Sequence, residues 1–270
     1  FEKKWMGFID VVDILTTILA DEDEHKAEEP NGANHEHEDD DEPRNMTAQD
    51  AINRSKRNPF RPILDTDSLL KAIQIMVTNS MVFLPVFNAD GRLIGVLDSW
   101  QVLAYVCENL PAPTWDPKVI GFGNYDPVIA INSQMPAIQA FRYLVDRNVS
   151  AAAVIDEKDG KLLDNLSALD SRALYFKDST WAILQDPVIE YLRRTAENVK
   201  TSVTEEQSRK ELMETFMRQN CVYATPNARW SDLASAMVEQ EIHRVYIAEK
   251  NDHVPLGFVS LLDMLKIFLS

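Results

Sequence analysis

The sequence predicts an α/β fold built from one repeated unit: strand, helix, strand, turn, strand, helix. Three observations predict it. One apolar phrase recurs along the 270 residues, as GFIDVVDILTTIL at 7–19, GVLDSWQVLAYV at 95–106, more loosely DNLSALDSRALYF at 164–176, and GFVSLLDMLKIFL at 257–269. The residues ahead of the last three copies also repeat, as a helical face, a strand, a turn and a strand. Finally, two helices on a small sheet cannot cover their own apolar face, so such units must pair.

The sequence begins inside the first unit, and residues 1–20 supply its last strand and helix. Upstream residues or a partner would have to cover that half unit. Residues 21–48 form an acidic linker, expected to stay solvated and disordered because its charges repel and it has little apolar surface to bury. Its core, 21–42, holds 12 Asp and Glu against one Lys, a net of −11, which leaves only −5 of the total −16 for the remainder. His25, His35 and His37 lie in it, but no Cys or spaced acid–His motif frames them as a metal site.

The second unit spans 49–112. Leu69, Leu70, Ile73, Met76 and Val77 fall on one helical face, MVFLPVF reads as a strand, NADG as a turn and RLIGVL as a strand. The proline-rich PAPTWDP leads into the third unit, 113–178. There Ile138, Phe141, Leu144 and Val145 make the face, and VSAAAVID and LLDNL the strands. Residues 179–220 are a helical connector, with Thr204 and Gln207 as a capping-box start for SVTEEQSRKELMETFMRQN. The fourth unit, 221–270, has Trp230, Leu233, Met237 and Val238 on its helix face, with IHRVYIAE and PLGFV as strands. The expected modules pair 1–20 with 49–110 and 113–178 with 221–270.

Composition bounds the function. An apolar fraction of 45% supports a substantial core, and no apolar run reaches membrane-spanning length. The N-terminus lacks the apolar core of a signal peptide. Cys107 and Cys221 sit in apolar contexts and read as buried free thiols of a reducing compartment, the cytoplasm or the nucleus. The acidic balance argues against nucleic acid, which needs basic phosphate contacts. No Gly-rich phosphate loop, no G-x-S-x-G and no H-E-x-x-H is present, so an enzyme is not expected.

The chemistry concentrates at the repeated phrase. Ser260-x-x-Asp263 and Ser167-x-x-Asp170 have capping-box spacing, and Asp10-x-x-Asp13 and Asp98-x-x-Gln101 are close variants. Starting a helix needs nothing more. The same geometry also suits a ligand, because a helix N-terminus favours an anion and a carboxylate one turn in can accept from both hydroxyls of a ribose. His243 and Arg244 open a strand of the fourth unit and could face phosphate.

The unit and its G-x-[V/I]-S-x-x-D ending resemble the CBS domain, named for cystathionine β-synthase. Four such units without a catalytic domain resemble the gamma regulatory subunits of AMP-activated protein kinase, on the stretches VSAAAVIDEKDGKLLDNLSALD and EIHRVYIAEKNDHVPLGFVSLLDML and the connector beginning SVT. The resemblance implies two paired modules in a pseudo-symmetric disc. It implies no required cofactor, AMP, ADP or ATP as a regulatory ligand, and a kinase complex or other assembly as partner. By position it puts the ribose acid on Asp13, Asp170 and Asp263, with Gln101 in the second unit, where gamma subunits also lack the acid. The phosphate-facing pair falls on His243 and Arg244. The second unit has Met81-Val82-Phe83 at that place, without a cation, and Arg147 is the nearest cation of the third. The thinned basic cluster leaves a scaffold that has lost its nucleotide as the alternative.

Overall fold

The computed structural model describes residues 7–28, 47–109, 116–175, 181–202 and 222–269. Three small sheets carry the repeat, and each has the same order. In the second unit, β1 (Ile63–Leu64) lies parallel to β2 (Phe83–Phe87), which pairs antiparallel with β3 (Leu93–Asp98). The third unit repeats this with β4 (Ala130–Asn132), β5 (Ala151–Ile155) and β6 (Leu162–Ser167). The fourth uses β7 (Tyr223–Ala224), β8 (Arg244–Ala248) and β9 (Pro255–Ser260). All three middle strands shift register at their last step, at Val86/Phe87, Val154/Ile155 and Ile247/Ala248.

Helices alternate with the strands. They are α1 (Val11–Glu28), α2 (Ala48–Ala51), α3 (Leu69–Asn79), α4 (Ser99–Asn109), α5 (Ala137–Asp146), α6 (Val188–Ser202), α7 (Trp230–Glu239) and α8 (Leu261–Lys266). After α3, α5 and α7 the chain turns through one left-handed residue, Ser80, Asn148 and Glu241, with φ of 53°, 52° and 52°. That common turn sets the register of the repeat. Val82, Ser150 and His243 occupy one position, and Phe83, Ala151 and Arg244 the next.

Two cores hold the units together. One joins Ile73, Met76, Leu103 and Val106 of the second unit to Trp230, Met237, Met264 and Leu265 of the fourth. The other joins Val12, Leu15 and Leu19 of α1 to Ile138, Phe141, Leu144 and Leu166 of the third unit and to Tyr191 and Leu192 of α6. Helices therefore pack second unit against fourth and first against third. The sheet sides make the pairs expected from sequence. Arg244 and Tyr246 of the fourth unit hydrogen-bond Ala151 and Asn165 of the third. Phe8 of the first packs edge-on against Phe83 of the second, with ring centroids 4.9 Å apart. The four units close a ring, sheet to sheet within a module and helix to helix between modules.

Several expectations change. Helix α1 continues to Glu28, eight residues into the stretch read as solvated linker. Packed Val12, Leu15 and Leu19 nucleate it, and adding Ala and Glu residues then costs little. Residues 29–46 lie outside the described part, as do Thr204, Gln207 and Cys221. Leu70 is 55% exposed because the stripe on α3 is narrow and Ala72 with Ile73 takes its place. Cys107 is exposed on the outer face of α4, not buried. Ala168–Tyr175 is a 3₁₀ helix, where Ser171 Oγ donates to the Ala168 carbonyl and Arg172 Nε to that of Leu169, both three residues back. The connector already holds ordered helix before Thr204, as the 3₁₀ turn Trp181–Gln185 and α6.

Candidate functional site

The fourth unit builds its helix start from three bonds. Ser260 donates both its N–H and its hydroxyl to Asp263 Oδ2, at 2.8 and 2.6 Å, and the Asp263 N–H reaches back to Ser260 Oγ at 3.3 Å. This is the capping box that the spacing predicts. Asp263 is half-buried, and among the described residues no donor reaches its Oδ1.

Arg244 lies directly across the β8–β9 ladder from Ser260. Its guanidinium sits over the Phe258 ring, 4.7 Å from the centroid, and donates to the Ala151 carbonyl of the third unit at 2.8 Å. His243, one residue earlier, shows a face to solvent, yet the protein around it disfavours imidazolium and holds its pKa below the ordinary value. Asp98 of the second unit pulls the other way. Arg244 is thus paired through the ladder with Ser260, and the His243 carbonyl accepts from the Leu261 N–H at 3.3 Å.

In the third unit, Ser167 repeats the motif. Its N–H and hydroxyl donate to Asp170 Oδ2 at 2.6 and 2.9 Å. The Asp170 carbonyl accepts from Tyr191 Oη at 2.8 Å, so α6 of the connector braces this helix start. Tyr191 is fully buried, and burial pushes its hydroxyl pKa well up. Tyr191→Phe should lower stability by about 0.5–1.5 kcal/mol in a denaturant titration, because it removes one hydrogen bond from a buried ring. Arg147 does not join the cluster. It is exposed one residue before the left-handed turn and stacks on Tyr143 of its own helix at 5.1 Å.

The first unit differs. Asp13 is fully buried, with both oxygens occupied. Ser55 donates its N–H and hydroxyl to Oδ1 at 2.7 and 2.6 Å, and Asp10 N–H donates to Oδ2 at 2.9 Å. Asn58 donates to Asp10, and Arg57 donates to the Asn148 carbonyl at 2.7 Å. Burial lowers the Arg57 pKa, Asp10 supports its charge, and Arg244 opposes it. The sequence reading missed Ser55, Arg57 and Asn58. Its available signal was the basic run NRSKRN at 53–58, shortly after the acidic linker.

Sequence also missed a strap. Residues 116–124 precede the first strand of the third unit but tie down the fourth. Asp116 accepts from Ser231 N–H and Oγ at the start of α7, and Val119 N–H donates to the Ala228 carbonyl at 2.8 Å. Asn124 and Phe258 exchange two backbone bonds, each of 2.9 Å.

The CBS domain family model matches residues 44–108 and 202–270, which hold the second and fourth units. These two stretches are CBS domains. It is 22% identical over 221 residues to the SNF1-related protein kinase regulatory subunit gamma-1-like of Arabidopsis thaliana, covering 78% of this chain and 47% of the relative. It is 24% identical over 218 residues to the 5'-AMP-activated protein kinase subunit gamma-3 of Bos taurus, covering 77% and 39%. The chain thus spans less than half the length of these curated relatives. A Methanocaldococcus jannaschii protein described as an archaeal g-AMPK homologue superposes with a TM-score of 0.64 at 17% identity, over 98% of this chain and 84% of the other.

Proposed function

We propose that the chain is a non-catalytic regulatory subunit that binds an adenine nucleotide, AMP, ADP or ATP, in the module of its third and fourth units and thereby modulates a protein partner. The partner class is a protein kinase of the AMP-activated type, and the setting is the cytoplasm or nucleus. The observation that supports this reading is the pairing of Arg244 with Ser260 across the ladder, at a helix start whose Asp263 keeps one oxygen unengaged. Asp263 and Ser260 are assigned to the ribose, and His243 and Arg244 to the phosphate. Asp170 and Ser167 offer the matching helix start in the third unit, where Arg244 reaches the carbonyl of Ala151, the ladder partner of Ser167. A net charge of −16 supports neither nucleic acid nor an anionic membrane surface as partner.

A second reading, a scaffold without nucleotide, draws support from one feature. Arg244 already donates to a main-chain carbonyl, and Asp263 Oδ2 already serves the cap. Thermal unfolding with AMP, ADP and ATP separates the two. A nucleotide at 100 times its Kd should stabilise by about 2.7 kcal/mol. Asp263→Asn keeps a polar group at the helix start, so the structural cost should be about 1 kcal/mol or less, while nucleotide-dependent stabilisation disappears. A flat response of the wild type to all three nucleotides would leave the scaffold.

A further inference from the structure

The first unit carries the same helix-starting acid as the fourth, and the two meet different neighbours. Each unit is crossed at its last strand by a segment from elsewhere in the chain. In the first unit, Asn53 N–H donates to the Phe8 carbonyl at 3.2 Å, and in the fourth, Asn124 N–H donates to the Phe258 carbonyl at 2.9 Å. Phe8 and Phe258 hold the same place in the repeated phrase, directly after Gly7 and Gly257. Two residues beyond the crossing Asn the segments diverge. The first has Ser55, and the second has Asp126, whose own N–H turns back to Asn124 Oδ1 at 3.0 Å. A serine can donate to a carboxylate, whereas an ionised aspartate has no hydrogen to give.

We propose that the segment Asn53–Asn58 is a built-in occupant of the first unit's acid, so that nucleotide is excluded there and confined to the other module. The confinement to that module rests on the function proposed above; the occupancy does not. A ribose diol would offer a carboxylate two donors. Ser55 supplies two from one residue, its N–H and its hydroxyl, both on Asp13 Oδ1. Asp13 has no exposed surface left, and Asn58, 2% exposed, closes over Asp10 beside it. The loop is wound to reach this position, with Asn53 and Lys56 both left-handed at φ 50° and 58°. Neither is glycine, so the conformation costs energy that its contacts must offset. Arg57 anchors the far end on Asn148 of the third unit. The loop thus fixes one module to the other as well as sealing the acid.

A double-mutant cycle with Asp13→Asn and Ser55→Ala in the full chain tests this, read by thermal unfolding and by titration with AMP, ADP and ATP. Each single substitution should lower the melting temperature by several degrees. The double variant should lose less than the sum of the two single losses, because both substitutions weaken one interaction. Nucleotide affinity should equal that of the wild type in all three variants while Asp263→Asn loses it. Should Asp13→Asn fail to fold, Ser55→Thr, which keeps the hydroxyl, should melt above Ser55→Ala. Additive losses, Ser55→Thr melting no higher than Ser55→Ala, or Asp13→Asn that loses nucleotide at an unchanged melting temperature would overturn the proposal. A wild type that binds no adenylate would remove the nucleotide reading, and the cycle would still decide the occupancy.

Discussion

Trp230→Ala should destabilise the protein by about 3–5 kcal/mol, the range for deleting a large buried aromatic side chain. Trp230 opens α7 and is 3% exposed. Its ring meets Phe268 edge-on with centroids 5.7 Å apart, and Nε1 donates to the Met264 carbonyl at 3.1 Å. Removing it empties the centre of the core shared by the second and fourth units and leaves a carbonyl of α8 without its donor. The same seam is crossed by Trp100, whose Nε1 donates to the Met237 carbonyl at 3.2 Å. The damage should therefore spread from the fourth unit to its contact with the second. Denaturant unfolding measures the loss, and Trp230→Phe should recover part of it by refilling volume without the N–H. A loss under about 1 kcal/mol would mean that the seam contributes little to stability.

The helical faces were legible in the sequence because burial acts locally. Ile73, Met76, Phe141, Leu144, Leu233 and Met237 are all buried, as their spacing requires. The sheet pairs within modules were legible too, since a small sheet has one apolar face to hide. Helix packing between modules was not, because a stripe states that a helix is covered and not by which partner. The sealing of Asp13 by Ser55 joins residues 42 apart in sequence, and the anchoring of Ser231 by Asp116 joins residues 115 apart. No periodicity encodes such bonds. They depend on how loops run across a finished surface. Asp13, Asp170 and Asp263 look alike in sequence, and only the crossing segment distinguishes the sealed acid from the half-engaged one.

Gly257→Ala and Gly95→Ala should move stability in opposite directions, although both glycines stand at the same place in the repeated phrase. At Gly257 an added Cβ would lie 2.3 Å from the Asn124 carbonyl oxygen and 3.2 Å from Tyr125 Cδ1. The strap cannot yield freely there, since Asn124 is bonded twice to Phe258 and the strap is held further back by Val119, which is fully buried. Backbone against backbone has no rotamer to relieve it, so the cost should reach the upper part of the roughly 1–3 kcal/mol range for overpacking. At Gly95 nothing lies within 4 Å of the added Cβ. There the substitution should gain about 0.5–1 kcal/mol, because glycine within a strand gives up more backbone freedom than alanine on folding. Equilibrium unfolding of the two variants reads the signs directly. Equal losses at both positions would mean that the repeated glycine serves the strand itself. Opposite signs would assign the glycine of the fourth unit to the close passage of its strap, in which Asp126 stands two residues beyond the crossing Asn124 as Ser55 stands two beyond Asn53.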